Sequence, residues 1–214
     1  MNWSYRLGWI CFRAVFAIYF RSRFLHPERV PAAGPVILAS NHASFIDPPL
    51  VGAGIHRPVN YLARNTLFEV PLLARVLRSW KVVPVDRDSG GGAGLKAIFD
   101  RLLEGGIILL FPEGTRSSNG ELRRAKPGVG LVVIKSAAPV VPVRVFGTFA
   151  AYGRHLKVPR PRRLSVKYGH PLDFQALRQE ARNCSKPRLK EIYQQAADEI
   201  MNAIARIEPR KDPP

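Results

Sequence analysis

Two hydrophobic periods alternate along this chain. Short, densely apolar runs occupy Val36–Ser40, Val59–Ala63, Lys81–Val85, Ile107–Phe111, Val140–Phe146 and Leu164–Tyr168. Rich in β-branched residues, each predicts a strand. Between them, apolar residues return every three or four positions, which predicts helices over Leu67–Ser79, Leu95–Glu104 and Val129–Ser136. A last amphipathic helix is expected from about Arg188 to Ile207, with Pro187 as its starting signal. Phe68, Leu72, Leu73, Val76, Leu77 and Trp80 are expected to point mostly into the core. The alternation predicts an α/β fold, with a largely parallel central sheet flanked by helices on both faces.

The first 26 residues follow a different pattern. Leu7–Phe20 is apolar but broken by Arg13, and no small-residue cleavage site follows, so it does not read as a signal peptide. It is also short for a helix that crosses a bilayer. Arg6 and Arg13 are seven positions apart and share one helical face, with Trp3, Trp9, Phe12, Phe16, Tyr19 and Phe20 around the rest. Such a helix is expected to lie in the headgroup region, apolar side down and cations near anionic lipid. The alternatives are a helix packed on the domain's own core and a poorly anchored spanning helix. The expected organisation is therefore a membrane-associating helix over 1–26 and an α/β domain over 27–214, joined through the proline-bearing stretch Pro27–Pro35.

Composition narrows the partners. At 214 residues and 46% hydrophobic, the chain has room for one domain with a real core. Lys and Arg total 33 against 16 Asp and Glu, a formal charge of +17. That surplus favours anionic partners: nucleic acid, anionic lipid or phosphorylated metabolites. No recognisable nucleic-acid motif is present, so nucleic acid is not an expected partner. Cys11 and Cys184 define neither a disulfide framework nor a zinc spacing, and the histidines are scattered, so no metal is expected. Gly90–Gly94 lacks the Gly-Lys-Ser/Thr ending of a phosphate loop and reads as a flexible entry into the next helix.

The chemistry-bearing residues follow two of the predicted strands. After the first comes Asn41-His42-Ala43-Ser44-Phe45-Ile46-Asp47. On a regular helix, residues five apart diverge by about 140°. His42 and Asp47 therefore meet only if the segment bends, as at a strand-to-helix turn. Asp47 would then hold one imidazole nitrogen and fix the tautomer, leaving the other to face a hydroxyl. With an unperturbed pKa near neutrality, a histidine can take a proton from an alcohol and pass it on. No Gly-x-Ser-x-Gly elbow surrounds Ser44, so it is not expected to be a nucleophile. After the fourth strand comes Phe111-Pro112-Glu113-Gly114-Thr115-Arg116-Ser117. Here glycine permits close backbone approach and Arg116 offers paired donors to a phosphate. Glu113 cannot bind phosphate and is expected to hold Arg116 or another cation, or to accept a hydroxyl.

Together these two elements resemble the glycerolipid acyltransferase family, in particular bacterial 1-acyl-glycerol-3-phosphate acyltransferases. That family carries catalysis on Asn-His-x-x-x-x-Asp and acceptor-phosphate binding on Phe-Pro-Glu-Gly-Thr-Arg-Ser. Ala63-Arg64-Asn65 with Val83–Arg87 looks like the family's middle block, and Val140–Val143 like its fourth, a strand with a hydrophobic role toward the acyl donor. The resemblance covers roughly residues 35–174. It implies His42 and Asp47 as catalytic residues, and Arg87, Glu113, Gly114, Thr115 and Arg116 as substrate-binding residues. Lys126, before a Pro-Gly, is a further phosphate candidate. It implies acyl transfer from acyl-CoA or acyl carrier protein, as co-substrate and with no other cofactor, to the 2-hydroxyl of 1-acyl-glycerol-3-phosphate. The expected partners are that lysophospholipid, the donor and an anionic membrane. The expected place is the cytoplasmic face of a bacterial inner membrane, monotopic or peripheral. Two alternatives remain open: the same chemistry on another acceptor, such as glycerol 3-phosphate or a lyso-aminolipid, and a non-catalytic basic binding module.

Overall fold

The structure, a computed structural model, describes residues 3–80, 82–85 and 92–209. Among the described residues the α-helices and strands are, in order, α1 (Trp3–Ile18), β1 (Arg23–Leu25), β2 (Val36–Ser40), α2 (Asp47–Ala53), β3 (Val59–Asn60), β4 (Leu62–Arg64), α3 (Pro71–Ser79), β5 (Val83–Val85), α4 (Gly92–Leu103), β6 (Ile107–Leu110), α5 (Pro127–Lys135), β7 (Val140–Phe146), α6 (Thr148–Tyr152), β8 (Ser165–Tyr168), α7 (Gln175–Glu180) and α8 (Lys186–Arg206). The main sheet has the order β1-β8-β7-β2-β6-β3. Its pairs are parallel except β7 with β8. The expected largely parallel α/β fold is what the chain forms.

Strand periodicity explains the two packed faces. Successive side chains of a strand point to opposite sides. On β2, Ile37 and Ala39 join the core under α4, α5 and α8, while Val36 and Leu38 join the core under α1 and α2. β6 divides in the same way, with Ile108 and Leu110 on one side and Ile107 and Leu109 on the other. α8 begins at Lys186, where the Ser185 hydroxyl accepts the Arg188 N–H and Pro187 occupies the first turn. It lies against α5 at Gly130, where an added Cβ would run into the Tyr193 carbonyl.

Three expectations change. Val59–Ala63 is not one strand: Val59 and Asn60 close the main sheet as β3, and Leu62–Arg64 turns away to pair with β5 in a separate two-stranded sheet. The α3 region is not mostly core. Ala74 is buried, but Leu67, Val70, Leu72, Leu73 and Val76 are exposed, Leu72 to 73%. Finally, Arg13 is not the outward cation that the headgroup reading expected. Its guanidinium turns inward, donates to the Ala53 carbonyl at 2.8 Å and packs over the Trp9 and Phe24 rings. A cation placed on the last carbonyls of α2 is stabilised by that helix end. Trp9 Nε1 adds a bond to the Ile55 carbonyl, and the Tyr5 hydroxyl accepts the Val59 N–H. Helix α1 is thus stitched to the domain by one face. The opposite face, with Trp3, Leu7, Ile10, Val15 and Ile18, remains exposed. Among the described residues, no helix is long and apolar enough to cross a membrane.

Candidate active site

β2 and β6 are neighbours and run parallel, with Ala39 opposite Leu110. The His42 and Glu113–Ser117 segments therefore leave the sheet side by side, at the carboxyl ends of adjacent strands. That edge is where open α/β sheets carry their ligand sites.

The first segment bends at once. Asn41 ends β2 by bonding both backbone groups of Val145 on β7: its side chain donates to the carbonyl and accepts the N–H at 2.8 Å. Asp47 then opens α2, followed by Pro48 and Pro49 in the first turn, where a missing N–H costs nothing. The buried Asp47 carboxylate folds back over the turn. Its Oδ2 accepts the N–H groups of Ala43 and Ser44, both at 2.7 Å, and lies 2.9 Å from His42 Nδ1. A carboxylate only accepts, so Nδ1 carries a proton, and in the neutral imidazole the lone pair is on Nε2. The imidazole also stacks on Phe111, with centroids 3.8 Å apart and planes 16° apart. His42 is thus fixed in tautomer and in plane, and its side chain is 16% exposed. The Ser44 hydroxyl is committed to the Tyr152 carbonyl at 2.6 Å, which fits its expected exclusion as a nucleophile.

The second segment locks onto the first. Glu113 Oε1 accepts the His42 N–H at 2.9 Å, and Ser117 N–H donates to the His42 carbonyl at 2.7 Å. Glu113 is 2% exposed, and burial pushes its carboxyl up, against the lowering effect of the His42 and Arg123 backbones. The structure thus places one carboxylate oxygen on the backbone of the histidine, with the Arg123 charge acting on the same group. The backbone N–H groups of His42, Ala43 and Ser44 are all engaged by carboxylates. These three donors are therefore already committed and do not face a reacting carbonyl.

Gly114 has φ +69°, a conformation that disfavours a side chain, and a Cβ there would meet the Lys126 side chain at 2.9 Å. Thr115 Oγ1 accepts a hydrogen bond from Arg154 at 2.6 Å. The Arg116 guanidinium lies over the Phe45 ring, 3.4 Å from its centroid. Phe45 belongs to the variable interior of the histidine motif, so this stack draws Arg116 toward the His42 loop. His42, Asp47, Glu113, Gly114, Thr115 and Arg116 therefore gather at one sheet edge. Arg87 lies outside the described residues, as do Lys81, Asp86, Gly90 and Gly91. The two parts of the middle block do come together, since Arg64 is opposite Val85 in the β4–β5 pair.

The general acyltransferase family model matches residues 21–146, which includes both segments and more than half of the chain. The chain belongs to the acyltransferase family. Relatives of this acyltransferase include the 1-acyl-sn-glycerol-3-phosphate acyltransferase of Bacillus subtilis, 31% identical over 121 residues, covering 56% of this chain and 60% of the relative. The chloroplastic 1-acyl-sn-glycerol-3-phosphate acyltransferase LPAT1 of Arabidopsis thaliana is 32% identical over 125 residues, covering 56% of this chain and 35% of the relative. The aligned part thus spans between about a third and three fifths of these two relatives' length. The crystal structure of the 1-acyl-sn-glycerophosphate acyltransferase PlsC from Thermotoga maritima shares the fold, with a TM-score of 0.72 over 96% of this chain and 81% of that one, at 21% identity.

Asn41, Phe45 and Phe111 act through contacts between segments. Their roles depend on which strand ends are neighbours. Arg154 was visible only as the first member of a basic run that extends to Arg163.

Proposed function

We propose that this acyltransferase moves a fatty acyl chain from a thioester donor, acyl-CoA or acyl carrier protein, to the 2-hydroxyl of 1-acyl-glycerol-3-phosphate, giving phosphatidate. The observation that carries the reading is the His42–Asp47 pair, whose Nε2 lone pair is directed by the Nδ1 contact at 2.9 Å. Nε2 takes the proton of the acceptor hydroxyl as its oxygen attacks the thioester carbonyl. Asp47 stabilises the imidazolium formed. The carbon–sulfur bond breaks, and the imidazolium returns the proton to the departing thiolate. No acyl-enzyme is needed. Arg116, placed by Phe45, holds the acceptor phosphate, and this positioning supplies part of the rate. The names of the relatives support this acceptor over glycerol 3-phosphate or a lyso-aminolipid.

The exposed apolar face of α1 and the exposed leucines and valines around α3 support a membrane-seated enzyme. Ser4 on α1 bonds Ser79 on α3 at 3.2 Å, so the two apolar surfaces adjoin. In this reading both lie in the near leaflet of an anionic membrane, at the cytoplasmic face, without spanning it. An acceptor panel tests the acceptor: purified protein in anionic vesicles, a labelled acyl donor, and 1-acyl-glycerol-3-phosphate against glycerol 3-phosphate and a lyso-aminolipid. Phosphatidate as the main product is expected. Acylation of another acceptor alone would keep the mechanism and move the substrate.

A further inference from the structure

We infer that Arg154 is a second cation on the acceptor phosphate, and that it sets the preference for a phosphate-bearing acceptor. This rests on the acceptor reading above. Arg154 lies in the segment between α6 and β8, 39 residues beyond Thr115 and outside every motif that marks the family. Its Nη2 nonetheless donates to Thr115 Oγ1 at 2.6 Å, which fixes the guanidinium beside the residue that precedes Arg116.

The surroundings favour a doubly charged ligand. Arg116 lies with a face on Phe45, which holds its guanidinium at the His42 loop. The Lys126 side chain runs along Gly114, close enough that a Cβ would meet it. Three cations, two from the β6–α5 connection and one from beyond α6, thus meet around Gly114–Arg116. Among the described residues, no ion pair involves Lys126 or Arg154. The two nearby carboxylates are turned inward, Glu113 onto the His42 backbone and Asp47 onto the turn and the imidazole. The charge of Lys126 and Arg154 is left for a ligand, and a phosphate monoester, with about −1.5 to −2 charge at neutral pH, meets two cations better than a singly charged or neutral headgroup.

The test compares the wild type with Arg154→Ala, Arg154→Gln and Arg154→Lys in the full chain. The Ala and Gln variants are expected to raise the KM for 1-acyl-glycerol-3-phosphate roughly tenfold or more, with kcat within about twofold and the donor KM unchanged. Lys should recover most of the loss. A structural tie to Thr115 would predict a different pattern, because Gln can still donate to Oγ1. Gln behaving as wild type, or Ala leaving the acceptor KM unchanged, overturns the inference. Calorimetric binding of glycerol 3-phosphate needs no turnover and should weaken roughly fivefold or more in Arg154→Gln. If the wild type acylated only acceptors without phosphate while this binding still depended on Arg154, the acceptor reading would fall and the anion site would stand. Equal binding by wild type and Arg154→Gln would remove Arg154 from the site.

Discussion

At the scale of residues, the site is built from directed hydrogen bonds within the bend after β2. Asp47 Oδ2 gathers two backbone N–H groups and the imidazole, so one carboxylate sets both the shape of the bend and the tautomer of the base. Asp47→Asn separates these jobs. An amide at this place turns one donor toward a cluster of donors, or leaves His42 in the other tautomer. The expected result is a fall in kcat of ~10²–10⁴-fold with a smaller change in acceptor KM, read from initial rates. A loss confined to KM would contradict the role. The pairing was legible in the sequence because five residues separate the two groups, which forces a bend for them to meet. Glu113 was not legible in the same way. Three residues before an arginine, a carboxylate suggests an ion pair. Its burial and its bond to His42 N–H follow from β2 and β6 being neighbours, which local pattern does not encode. Arg154 depends on a contact across 39 residues and was hidden for the same reason.

At the scale of elements, dense apolar runs located the central strands well, because β2, β6 and most of β7 are covered on both sides and hold few polar residues, Ser40 and Arg144 being the exceptions. The edges were harder. β1 has only three residues, and β3 and β4 share one apolar run that breaks at Tyr61. Periodicity also found α3 but could not say what its apolar side faces. An apolar stripe is the same signal whether it meets a core or a lipid. Its exposed leucines lead to a test. Ile18→Asp on α1 and Leu72→Asp on α3 replace side chains that are 79% and 73% exposed, so neither is expected to change the melting temperature appreciably. Each is expected to weaken sedimentation with anionic vesicles roughly tenfold or more, the scale of losing one buried apolar side chain and adding a charge. If Ile18→Asp weakened binding and Leu72→Asp did not, the lipid-facing surface would be α1 alone.

At the scale of the whole molecule, three properties share one chain: a basic surface, an apolar outer face on α1 and α3, and a site at the carboxyl ends of β2 and β6. The formal charge of +17 suits lysophosphatidate, CoA or an acidic carrier protein, and an anionic leaflet alike. Each Lys or Arg held near such a leaflet contributes on the order of 1 kcal/mol, so a few suffice to complement a single amphipathic surface. The fold class was legible as a whole because strand and helix periods alternate along the chain, whereas the antiparallel placement of β8 against β7 was not, since sheet order is a tertiary choice. The central claim is that His42 is the base of acyl transfer to a glycerolipid alcohol. The most direct test measures labelled phosphatidate formed from 1-acyl-glycerol-3-phosphate and acyl donor in anionic vesicles, for wild type and His42→Ala side by side. The account predicts product from the wild type and a loss of at least ~10³-fold in the variant, with vesicle binding retained. Comparable product from His42→Ala would contradict it.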